Sequence, residues 1–223
     1  MNSRECQKII KRFLSPSLPN FRGSIYDSLV MWPVEHLWRG FTFGYSSTRH
    51  AGYFSTCVIP LYMKISEKDS GLSCLIGNRL AGGRLGGRLF VFTPEEYEAS
   101  GTSLRTAVLE EGVPFLNKFA TPEDIIRNLI PGGANSPNHE VLAYTHAYVG
   151  NYAEAIVEFE YVIDLYDRMT PDRLARRHPS ELQRLALHRT LLHLLRTEPE
   201  KTQQLLREVE AESIVNLKLN EIK

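Results

Sequence analysis

The stretch that decides the fold is residues 37–92, LWRGFTFGYSSTRHAGYFSTCVIPLYMKISEKDSGLSCLIGNRLAGGRLGGRLFVF. Residues 37–45 alternate with a period of two, which is typical of a strand with one apolar face. Residues 53–63 are apolar on both faces, which favours a strand that is covered on both sides. Residues 72–80 and 84–92 follow, and short connections rich in turn-forming residues separate the segments. The pattern predicts a four-strand antiparallel sheet built from hairpins.

Composition narrows the class of protein. The chain has 223 residues, of which 43% are hydrophobic, so it can bury a core as one large domain or two small ones. Its 26 basic and 26 acidic side chains cancel, so no overall field favours direct binding to nucleic acid or to a membrane. The sequence has neither an apolar run long enough to cross a membrane nor the apolar core of a signal peptide. We therefore expect a cytoplasmic protein, and the three cysteines fit reduced core thiols.

Helical patterns surround the sheet. The first helix has a stripe at i, i+3, i+4, i+7 and i+8 and should lie on the sheet: Cys6, Ile9, Ile10, Phe13 and Leu14. Residues 16–36 have three prolines and no sustained period, which predicts an irregular packed loop. After the sheet, a helix should start at residues 93–96 and end at Gly101. Another should start at Thr121, with Asp124 completing the cap.

The second half of the chain is predicted to be helical. Breakers and small polar residues fill 131–138, which predicts an α+β domain over 1–131 and a helical domain over 138–223. Residues 139–149 and 152–167 should form an antiparallel hairpin, with Asn151 and Glu154 as its capping pair. Small residues and Phe159 make this hairpin resemble a single tetratricopeptide unit. Further helices are expected over residues 180–195 and from 197 to about 219, which completes a small C-terminal bundle.

The sequence shows no pattern of a catalytic, cofactor-binding or metal site. The glycine-rich residues 82–88 lead into a strand, whereas a phosphate-binding loop leads into a helix. His139 and His146 are seven residues apart and His188 and His193 are five apart, and neither spacing is that of a helical zinc site. No nucleophile elbow occurs. These patterns predict a protein that is not an enzyme and needs no cofactor.

Charge is distributed unevenly in the second half of the chain. Residues 140–167 contain six acids and no lysine or arginine: Glu140, Glu154, Glu158, Glu160, Asp164 and Asp167. Residues 168–189 reverse the sign with six arginines: Arg168, Arg173, Arg176, Arg177, Arg184 and Arg189. Two interpretations remain open. The segments can neutralise each other within the fold, or the acidic segment can be a docking surface for a basic partner.

Four segments resemble immunity proteins of bacterial antibacterial toxin systems, including those of type VI secretion. They are residues 4–14, the aromatic strand around 41–43, residues 115–124 and the hairpin over 142–156. The resemblance implies a small, cofactor-free, non-enzymatic protein that binds and covers a cognate toxin, for example a nuclease effector. The alternative is a regulatory or scaffold protein that holds a peptide or protein through its helical hairpin.

Candidate partner-binding residues follow from charge and helical spacing. If the toxin is basic, the acidic hairpin is the matching surface, with Glu154, Glu158 and Asp164 as exposed anchors. Ala155, Phe159 and their helical neighbours should form the buried stripe, which places Tyr161 beside these acids. The other candidate surface is the loop that carries Trp32, Glu35 and Trp38.

Overall fold

A computed structural model describes residues 3–24, 28–46, 50–63, 76–81, 89–130, 138–169 and 179–219. The fold is α+β, with an antiparallel sheet in the first half and most of the helices in the second. The chain forms two compact units. Unit 1 comprises Met1–Ile59, Ile65–Ala120 and Ile214–Lys223, and unit 2 comprises Pro60–Lys64 and Thr121–Ser213.

Unit 1 contains a sheet of five strands in the order β1-β2-β3-β4-β5. The strands are β1 (Phe21–Ser24), β2 (Ser28–Met31), β3 (Leu37–Tyr45), β4 (Ala51–Pro60) and β5 (Phe90–Val91). Antiparallel pairing places Phe21 opposite Met31, Leu29 opposite Phe41, and Gly52 opposite Phe90. The predicted strands over 37–45 and 53–63 are therefore present as β3 and, shifted slightly, as β4.

The prediction of an irregular loop over residues 16–36 is wrong, because β1 and β2 form a hairpin there. Each of these strands has four residues, too few for a period of two to be visible in the sequence. The prolines at 16, 19 and 33 flank the strands and so do not remove any hydrogen bond from the ladder.

The last strands of the sheet also differ from the prediction. Residues 76–79 form only isolated bridges with β4, Val58 with Ile76 and Ser55 with Arg79. β5 pairs with the start of β4, whereas the sequence pattern predicted that 84–92 would pair with 72–80. Residues 82–88, which include Gly82 and Gly83 of the predicted turn between those two segments, lie outside the described residues.

Helices of unit 1 pack around aromatic side chains. The N-terminal segment runs through α1 (Ser3–Ile9), a π-helical turn (Ile10–Leu14) and a 3₁₀ turn (Ser15–Ser17), and its predicted apolar stripe is buried. The ring of Phe13 packs on α2 (Tyr97–Ala107), 5.4 Å from the ring of Tyr97. The N-terminal segment was predicted to lie on the sheet, but its residue Phe13 packs on α2.

Gly101 does not end a helix, contrary to the prediction. α2 continues through it, then through a π-helical turn (Val108–Gly112) into α3 (Val113–Asn117). A Cβ atom at Gly101 would lie 2.4 Å from the Phe13 ring, so glycine is required here by close packing.

Unit 2 contains the remaining helices of the part of the chain that the structure describes. These are α4 (Pro122–Asn128), α5 (Asn138–Val149), α6 (Tyr152–Asp167), α7 (Pro179–Thr197) and most of α8 (Pro199–Asn216). α5 packs on α4 and α6, and α6 packs on α7. Thr121 accepts a hydrogen bond from the Asp124 backbone and the Asp124 side chain accepts one in return, which confirms the predicted cap of α4.

The α5–α6 hairpin closes with a Schellman turn. Gly150 has φ +88°, the Asn151 N–H donates to His146 C=O at 2.8 Å, and the Gly150 N–H donates to Ala147 C=O at 3.4 Å. The side chain of Asn151 makes no cap hydrogen bond and lies near His146 Nδ1. Asn151 is the N-cap residue of α6, as predicted, but the predicted side-chain cap does not form, because the Asn151 side chain lies near His146.

Candidate functional site

Most acids of the 140–167 segment pair with a basic side chain that follows them in the sequence. Asp167 lies 2.5 Å from Arg189, Glu160 forms an ion pair with Arg196, and both arginines are on α7. Asp164 lies 2.6 Å from Arg168, one helical turn away. The structure thus supports neutralisation within the fold for the side of α6 that faces α7.

A buried cluster ties the start of α5 to α7. His188 is 1% exposed, and its Nε2 lies 3.1 Å from Glu140 Oε1, while Arg184 Nη1 lies 4.0 Å from Glu140 Oε2. Burial alone would raise the pKa of Glu140, but the hydrogen bond with His188 and the charges of His188 and Arg184 outweigh it and lower that pKa. Burial and the Glu140 charge raise the pKa of Tyr144, whose ring packs against His188. This cluster stabilises the packing of α5 on α7, and its contacts leave Glu140 unavailable to a partner.

Glu154 and Glu158 differ from the other acids of α6. Glu154 is exposed, and no basic side chain pairs with it among the described residues. Glu158 is half-buried and lies 2.6 Å from His139 Nδ1. Both carboxylates act on His146, yet its partial burial outweighs them and lowers its pKa, which leaves this ring neutral at neutral pH. On the α5-facing side of α6, the negative charge of Glu154 therefore has no basic partner among the described residues, and the partner of Glu158 is a histidine and not an arginine or lysine.

Apolar groups lie beside this charge. Val157 is 62% exposed, and Ala153 one turn before it is exposed as well. Tyr161 is half-buried, and its ring lies 4.1 Å from the ring of His139 at an interplanar angle of 35°. We call Ala153, Glu154, Val157, Glu158 and Tyr161 the α6 face.

The predicted partner-binding residues are in different environments. Glu154 is exposed, Glu158 and Tyr161 are tied to His139, and Asp164 is paired with Arg168.

In the other candidate surface, Trp32 is 36% exposed and Glu35 is exposed, whereas Trp38 is 1% exposed. Trp38 therefore belongs to the core of unit 1, and its ring packs against Gly40. The three residues do not form one surface.

Sequence reasoning missed two members of the site. His139 was considered only as a metal ligand, but it orients both Glu158 and Tyr161. Val157 could have been found, because it lies opposite the buried stripe Ala155, Phe159, Val162 and Ile163 on the helical wheel.

The described part of the chain contains no group of three or more histidine, cysteine or acidic side chains that could hold a metal ion. No described helix is long and apolar enough to cross a membrane.

Comparisons with protein-family models, with curated proteins and with solved structures found no match to this chain.

Proposed function

We propose that this chain is a non-enzymatic immunity protein that binds and neutralises a cognate antibacterial toxin in the cytoplasm. The observation that supports the proposal is the selective pairing of acids on α6. Arginines neutralise the side that faces α7, while Glu154 and Glu158 on the other side have none. A retained patch of one sign on a structured helix attracts a partner of the opposite sign and speeds its encounter.

The toxin that fits this surface is basic. Proteins that act on nucleic acid carry clusters of lysine and arginine, so a nuclease effector has suitable chemistry. By covering the basic substrate-binding surface of such a toxin, this chain would inhibit the toxin by binding alone, without catalysing any reaction. The resemblance of residues 4–14, 41–43, 115–124 and 142–156 to immunity proteins points to the same class.

A regulatory or scaffold protein is the second candidate. The α5–α6 hairpin, closed by a Schellman turn at Gly150, has the helix–turn–helix form of a tetratricopeptide unit. Such units hold peptides through helix faces. This candidate requires binding to a short peptide, whereas the immunity proposal requires binding to a folded toxin.

Growth protection tests the proposal. Cells that express the secreted-toxin gene adjacent to the gene for this chain should die, and co-expression of this chain should restore growth. An inactivated toxin variant should bind the purified chain in solution. If protection and binding both fail for each neighbouring toxin gene, the immunity proposal is wrong and the scaffold candidate takes its place.

A further inference from the structure

We propose that the α6 face is the docking surface for an amphipathic helix of the partner that carries lysine or arginine beside an aliphatic stripe, with Val157 as the central contact. The inference rests on the proposed function and names the part of the partner that would be recognised.

The shape of the face suits a helix. Ala153, Val157 and Tyr161 follow one another at i, i+4 and i+8, which makes a ridge of the kind that packs into the groove of another helix. Val157 is 62% exposed and lies opposite the buried stripe, so folding of this chain does not use it. A protein partner that covered Val157 would gain apolar burial that the isolated chain leaves unused.

Charge complementarity selects the occupant. Glu154 and Glu158 line one side of the ridge one turn apart, and His146 beside them is neutral at neutral pH because burial lowers its pKa. Glu160, across the ridge, is already paired with Arg196. A partner helix would therefore place its basic residues towards Glu154 and Glu158 and its aliphatic residues on Val157. An acidic helix would meet repulsion at the same place.

The face is also held in position. Tyr161 is a large amphipathic side chain of the type found at the centre of interfaces, and the contact of its ring with the tilted ring of His139 limits its rotamers before binding. The same His139 holds Glu158 through a 2.6 Å contact. A partner would thus lose little free energy in ordering these groups.

A designed peptide pair tests the surface without the toxin. The probe is a synthetic helical peptide of leucine and lysine heptads, and its control has glutamate at every lysine. Amide NMR shifts of the labelled full-length chain should move along α6 with the basic peptide and not with the acidic one. By fluorescence anisotropy, Val157→Asn, which removes the apolar contact without adding charge, should weaken binding of the basic peptide at least about fivefold, the loss typical of a central contact.

Val215 provides the matched control. It is 63% exposed on a helix, so Val215→Asn makes the same change of side chain on another surface. Equal weakening by both substitutions, or equal binding of the basic and acidic peptides, would overturn the proposed surface. If Val157→Asn leaves toxin protection unchanged, the proposed surface is wrong but the immunity function stands. Peptide binding at α6 without any toxin protection would support the surface and count against that function.

Discussion

Glu140 shows at the scale of a residue how the fold uses charge. Its carboxylate is half-buried beside His188 and Arg184, and its pKa is lowered because their hydrogen bond and charges outweigh the cost of burial. A group whose pKa is lowered on folding contributes stability above its unfolded pKa. That stability is lost as the pH falls through the folded pKa.

Glu140→Gln tests this contribution. At neutral pH the variant should be less stable than the wild type by about 1–3 kcal/mol, since a charge-assisted hydrogen bond to a buried group is weakened. The difference in the free energy of unfolding should shrink as the pH falls through the lowered pKa of Glu140 in the fold, because the wild-type carboxylate then becomes protonated as well. Urea unfolding at several pH values measures it. A difference that stays constant over this range would show that Glu140 is not ionised in the fold.

At the scale of elements, the α5–α6 hairpin depends on one backbone conformation. Gly150 has φ +88°, a region in which a Cβ atom costs about 1–2 kcal/mol. Gly150→Ala should therefore lower the free energy of unfolding by about this amount, as measured by urea unfolding. Gly150→Asn is the matched control and should lose less, because asparagine tolerates this region better. An alanine variant as stable as the wild type would mean that the turn does not require this conformation.

The hairpin also shows what local sequence can predict. Helix periodicity placed α5 and α6 almost to the residue, and it placed Glu154 on the exposed side. The capping residues Thr121 and Asp124 carried their own local signal. The sequence also placed Asn151 at the N-cap of α6, but it could not predict the orientation of the Asn151 side chain, which lies near His146 and makes no cap hydrogen bond.

Contacts between residues that are far apart in the sequence could not be predicted from local sequence patterns. The ion pair of Glu160 with Arg196 and the contact of Glu158 with His139 arise from tertiary packing, so the sequence left open which acids would stay unpaired. The sequence did not predict the short strands β1 and β2 for a different reason. Four residues are too few to show a strand pattern, and these strands are stabilised by the pairing of β1 with β2 and of β2 with β3.

At the scale of the whole molecule, unit 2 draws on two separated parts of the chain. Tyr62 comes from residues 60–64, and it is fully buried with its ring 4.2 Å from that of Tyr148 and its hydroxyl 2.9 Å from Thr145 Oγ1. Burial raises the pKa of Tyr62 far above its ordinary value of 10.0. The predicted division into 1–131 and 138–223 follows composition and could not reveal this contact, because nothing local marks Tyr62 as a residue of the helical unit.

Tyr62→Ala should cost about 3–5 kcal/mol, as expected when a large buried aromatic side chain is removed. Tyr62→Phe keeps the ring and should cost only about 1 kcal/mol through the lost hydrogen bond to Thr145. The unfolding of α5 to α8, followed by far-UV circular dichroism in urea, measures both changes. Equal stability of the two variants would mean that unit 2 does not depend on the ring from residues 60–64.

The central claim is that Glu154 and Glu158 attract a basic toxin, and association kinetics test it most directly. Glu154→Lys with Glu158→Gln removes the negative charge while glutamine can still bond to His139. Glu160→Lys with Asp167→Asn makes the same net change on the side where arginines already pair. In low salt, the first variant should bind the proposed toxin at least about tenfold more slowly, with a weaker salt dependence, and the second should bind at nearly the wild-type rate. Equal rates for both variants would contradict the claim.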